Sequence, residues 1–192
     1  MFLTVESAKI VGVPRPSRDQ VLAEIRESAL RLFVEQGYEA TTLAQVGASV
    51  GYSKSAMLYH FASKEALLAA ALTDPVQRLR EHVEATADVD ARTRLTGLVD
   101  LVLRHRDEAF LLLRQGQLLQ ELVGATEVVE ELVGRFLGEA PDLGHQVAVH
   151  VALAGLAETA TCFPDTDPAE LRAPLLAAAA RALDLDLAPV PT

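Results

Sequence analysis

The sequence has one cysteine, Cys162, no tryptophan, and aromatic side chains at only 5% of its 192 positions. A single thiol excludes an internal disulfide and fits a reducing compartment. It also leaves no cysteine pair for a zinc site. His145 and His150 stand five apart, so they do not share a helix face as ligands four apart would. No glycine-rich phosphate loop and no nucleophile elbow occurs. The acidic pairs Glu130-Glu131 and Asp107-Glu108 read as solvated helix positions. No catalytic constellation, cofactor or metal is therefore expected, and the chain does not read as an enzyme. No apolar run approaches the roughly 20 residues of a membrane helix. The first residues lack the basic and apolar blocks of a signal peptide. These absences predict a cytoplasmic protein without a membrane partner.

A basic excess is missing too. The formal net charge is −10, which fits an ordinary acidic soluble protein and argues against nucleic acid at first sight. The distribution changes that reading. Residues 1 to 65 hold seven Lys/Arg and seven Asp/Glu, and residues 66 to 192 hold the other ten basic and twenty acidic residues. The whole excess lies outside the first third, and local charge decides contact with DNA.

What is present is alanine, leucine and valine. Half the residues are hydrophobic, the spacing is helical, and no strand-like alternation or internal repeat appears, so the fold class is all-α. The most structured stretch is residues 42 to 61. Thr42 caps a short helix with Gln45 completing a capping box, and Leu43, Val46 and Val50 recur on one face. Gly51 marks a left-handed helix end. Ser53 caps a second short helix, read as carrying Met57, Leu58 and Phe61 inward and leaving Lys54, Ser55 and Tyr59 free. A helix, a glycine turn and a second helix with an exposed polar start is a DNA-reading helix-turn-helix layout. Ahead of it, Ser17 and Gln20 form another capping box, Val21, Ile25, Ala29, Leu32 and Phe33 follow the helical period, and Gly37 ends that helix.

Residues 18 to 72 resemble the N-terminal domain of TetR-family bacterial transcriptional regulators. The likeness is carried by Leu32-Phe33-Val34-Glu35-Gln36-Gly37-Tyr38, Ala40-Thr41-Thr42-Leu43, Val46 to Ser53, His60-Phe61 and Ser63-Lys64-Glu65-Ala66-Leu67. Gly47 and Val50 stand where the family usually has alanine, and Leu58 where it usually has a phosphate-touching tyrosine. The resemblance implies a three-helix DNA-binding domain over 18–65 after an extension over 1–17, and a helical effector-binding and dimerisation domain over 66–192. Within the extension, Lys9 and Arg15 either form a basic arm with Arg18 or belong to a loose tail. Candidate DNA contacts are Thr42, Ser53, Lys54, Ser55, Ala56, Tyr59, His60 and Lys64, with Thr42 and Lys64 placed at phosphates and His60 given a supporting role.

Further helices are expected from Ser63 onward, with a break or kink at Asp74-Pro75, then over about 91–106, 107–122, 126–138, 144–162 and 168–184. The last two are apolar on more than one side: either the penultimate one is simply the centre of the monomer core, or, the favoured reading, the chain forms a homodimer through both, with Leu176 among the facing residues. A pocket is implied by the resemblance. Its candidate lining is Leu101, His105, Phe110, Leu113, Gln117, Gln120, Phe136, Thr159 and Cys162, and few charges fall at buried phases, so the effector is expected to be an apolar or weakly polar small molecule. The expected function is a homodimeric repressor on a near-palindromic double-stranded operator, released by that molecule. An activator or ligand-independent regulator is one alternative, and an all-helical enzyme or interaction module another.

Overall fold

The computed structural model describes residues 17–119 and 124–186, apart from the side chains of 116–119. Among these residues every regular element is helical: α1 (Arg18–Gln36), α2 (Leu43–Ser49), α3 (Lys54–His60), α4 (Lys64–Ala85), α5 (Ala91–Arg104), α6 (Arg106–Leu119), α7 (Ala125–Leu137), α8 (Leu143–Cys162) and α9 (Pro168–Ala182). Caps set most of the starts. Ser17 and Thr42 form reciprocal capping boxes with Gln20 and Gln45, and Ser53, Ser63, Asp90 and Asp142 each accept a backbone N–H of the first turn.

Two cores result. In the head, Ile25, Ala29 and Phe33 of α1 meet Val46 of α2, Met57 of α3 and Leu67, Leu68 and Leu72 of α4. In the body, Val83 at the far end of α4 packs with Leu95 and Val99 of α5, Phe136 of α7, Val149 and Leu156 of α8, and Leu175 and Ala179 of α9. Leu111 of α6 and Ala125 of α7 are buried in the head's core, so the head rests directly on the body.

The helix does not break at Asp74. α4 runs on through Pro75, whose ring is buried. Packing on both sides of α4 outweighs the hydrogen bond that proline removes. At the other end of α4, Arg94 is only 6% exposed. Its guanidinium donates to the carbonyls of Thr86, Val89 and Arg135 at 2.9 to 3.2 Å and lies 5.6 Å from the Phe136 ring. This buried cation is matched by the carbonyl ends of α4 and α7.

Candidate nucleic-acid interface and effector cavity

The turn between α2 and α3 is tight. Gly51 has φ +77, and the Tyr52 N–H donates to the Gly47 carbonyl at 2.8 Å. A Cβ on Gly47 would lie 2.7 Å from the Tyr52 carbonyl oxygen and 2.7 Å from Met57 Cγ. Glycine at this buried position is what lets α3 approach α2. Ser28 and Ser49 hydroxyls, 2.5 Å apart, tie α1 to α2. Thr41 Oγ1 donates to the Leu32 and Gly37 carbonyls and closes the end of α1.

At 3.6 residues per turn, buried Met57 fixes the inward side of α3. Ser55 and Tyr59 point away from it, Tyr59 being 81% exposed. Lys54 and Leu58 share one shoulder; Ala56 and His60, both half-buried, share the other. Leu58 is therefore not inward: it is 48% exposed, because a helix of seven residues has a single buried side, which Met57 occupies. His60 stacks edge-on with Tyr59 and Tyr52, at ring separations of 5.2 and 6.5 Å, and its Nδ1 is buried without a hydrogen-bond partner. Ser53 Oγ caps α3 by accepting the Ala56 N–H. The Thr42 hydroxyl is engaged by Gln45.

Lys64 is held inside the head. Its ammonium donates to the Tyr38 and Glu39 carbonyls at 2.9 and 3.2 Å and lies 4.2 Å from the Tyr38 ring centre. The Tyr38 hydroxyl donates to Glu65, and its pKa is pushed well up by burial and then by that carboxylate. These contacts pin the start of α4 to the turn after α1.

Within the body, a cavity of about 390 Å³ opens between α4, α5, α6, α7 and α8. Of the expected lining residues, Leu101, His105 and Leu113 reach it. Phe110 instead lies under the Arg114 guanidinium at 5.0 Å, and Phe136 is buried beside Arg94. Thr159 lines the groove between α8 and α9, and Cys162 is exposed, donating to the Glu158 carbonyl. The Gln117 side chain and Gln120 lie outside the described residues. Charge is also present in the wall, which the periodicity did not reveal. Arg78 of α4 pairs with Glu108 of α6, and His105 Nδ1 lies 3.4 Å from the same carboxylate oxygen. Glu108 is therefore not the solvated helix position that its sequence suggests, and Arg78 gives no sequence signal, because their ion pair crosses between helices 30 residues apart. Leu112 and Ala125 line the cavity and also pack on the head's core, so its wall is partly the underside of the head.

The profile of "Bacterial regulatory proteins, tetR family" matches residues 25–71, spanning α1 to the first part of α4. Over these residues the chain is similar to the TetR family. Several curated regulators are similar to part of the chain. HTH-type transcriptional repressor AcnR of Corynebacterium diphtheriae is 40% identical over 60 residues, 31% of this chain and 32% of that protein. An HTH-type transcriptional repressor of Mycobacterium tuberculosis is 31% identical over 99 residues, 50% of this chain and 49% of that protein. The chain thus spans half or less of these relatives. Solved TetR-family structures share the fold. One from Rhodococcus RHA1 superposes with a TM-score of 0.66 at 21% identity, covering 88% of this chain and 98% of that one. FadR of Bacillus subtilis, solved with stearoyl-CoA, gives 0.56 at 17% identity, covering 84% and 95%. Among the described residues no helix is long and apolar enough to cross a membrane.

Proposed function

We propose that the chain is a homodimeric transcriptional repressor that binds a near-palindromic operator through α3 and leaves it when a small molecule enters the body. The observation that carries this reading is the outward face of α3. Lys54, Ser55 and Tyr59 are exposed on a helix whose opposite side is locked into the head, which suits insertion in a major groove. Lys54 is placed to donate to a guanine edge, while Thr42, Ser53, Ala56 and His60 support the frame or adjoin phosphates. Since two of its contacts are carbonyls of the head, Lys64 serves first as a clamp on α4, and any phosphate must share its ammonium.

Pairing is supported by α8 and α9. Leu143, Val147 and Val151 form an exposed apolar stripe on α8, and Val151 shares a groove with exposed Pro174 and Ala178 of α9. Leu176 is on the other side, half-buried against the body's core, so it does not belong to this surface. Two heads about 34–36 Å apart, or somewhat wider, would then read two half-sites.

The effector is an amphipathic molecule rather than a purely apolar one, since the cavity wall is mainly aliphatic but contains the Arg78–Glu108 pair and His105. FadR's stearoyl-CoA makes acyl thioesters a reasonable first panel. The test is selection of duplexes from random DNA by the full chain, followed by binding of Lys54→Ala. A paired lysine should lose about 1–3 kcal/mol and its base preference. Unchanged affinity and unchanged preference would refute the assignment.

A further inference from the structure

We infer that Leu58 is a specificity-determining residue that reads the 5-methyl group of a thymine in the operator; the inference rests on α3 being the reading helix. An isolated surface leucine ordinarily calls for no explanation. This one is 48% exposed on the same shoulder of α3 as Lys54 and adjoins exposed Tyr59, on the face proposed to meet the duplex. It can neither donate to a phosphate nor accept from a base. Brought into a major groove, it would lose its water against polar edges and gain nothing, except at the one apolar group thymine displays there, the C5 methyl. Ala56 is less suited to that contact, being half-buried on the opposite shoulder.

The helix also sets the spacing. Four residues of α3 advance about 6 Å, and base pairs stack roughly 3.4 Å apart. The methyl met by Leu58 therefore lies about two base pairs from the base met by Lys54. Where resemblance to the family suggests a phosphate-touching tyrosine, this chain exchanges a contact blind to sequence for one that distinguishes thymine from every other unmodified base.

The experiment uses the full chain and a duplex selected from random DNA, with each thymine replaced in turn by deoxyuridine. Uracil keeps the base pair and the O4 acceptor and removes only the methyl. At one thymine per half-site, uracil should weaken the wild-type protein about fourfold, and about fifteenfold when both half-sites are changed, as expected for one methyl-sized group left unburied. Leu58→Ala should bind thymine and uracil duplexes equally, near the wild-type level on uracil. Folding is not at risk, since the side chain lies outside the core. Lys54→Ala should keep the uracil penalty while losing its base preference. Indifference of the wild-type protein to uracil at every thymine would overturn the inference and leave the DNA-binding reading intact, as would an equal penalty in Leu58→Ala. Failure to enrich any duplex would overturn both.

Discussion

Gly47 shows how one missing methyl group shapes the head. By helix propensity alone, alanine there should stabilise α2 by roughly 1 kcal/mol. The Tyr52 carbonyl oxygen, 2.7 Å from where the alanine Cβ would stand, forbids it unless the backbone moves. We expect Gly47→Ala to lower stability by about 1–3 kcal/mol, as overpacking does, and to weaken operator binding further by shifting α3. Chemical denaturation and a gel shift check this; a stabilised variant would show that the turn yields easily. His82 offers a second case. It is half-buried on α4, its Nε2 has no partner, and burial, then the nearby Arg94 charge, holds its pKa below the ordinary 6.5. The unfolded chain then binds more protons than the folded one just below that value. Stability should fall as pH drops from about 6.5 toward the depressed pKa and level off beneath it. Urea midpoints across pH 7 to 5 should show the decline, and His82→Gln should flatten it.

At the scale of elements, most of the helices were legible in the sequence because caps are local. Ser17 with Gln20 and Thr42 with Gln45 announce their starts in four residues, and Gly37 and Gly51 announce ends. What was not legible depends on contacts between distant segments. The course of α4 through Pro75 rests on packing from both sides. The orientation of Leu58 depends on how much of a seven-residue helix the head can cover. Arg94 gave no sign of burial, because its partners are carbonyls contributed by α4, the following turn and α7. The same arginine yields a prediction: Arg94→Met should cost about 2–3 kcal/mol by leaving those carbonyls unpaired. Arg94→Lys should not restore it, since one ammonium cannot span Thr86, Val89 and Arg135. Matched denaturation curves decide between this and a neutral replacement.

For the whole molecule, the apolar character of the last two helices was readable, but its division between core and surface was not. Leu176 and Val151 look alike in the sequence. Leu176 packs inward, while Val151 is 61% exposed. A charge at Leu176 would damage the body itself, so the test of pairing is Val151→Glu. It should sediment as a folded monomer at micromolar concentration and lose tight operator binding, with its helical circular dichroism retained. A Val151→Glu protein that still dimerises would remove this face from the interface.

Leu112 and Ala125, shared between the cavity and the floor of the head, carry a consequence for dose response. If an effector displaces that shared wall and so disfavours the operator-bound arrangement, the operator must disfavour the effector by the same factor, because the two equilibria close a thermodynamic cycle. The concentration of effector needed for half-saturation is then not one constant. Protein on its operator demands more of the molecule than free protein does, and the ratio equals the loss of operator affinity when effector is saturating. Titrating effector with and without the selected duplex would measure both sides of that equality.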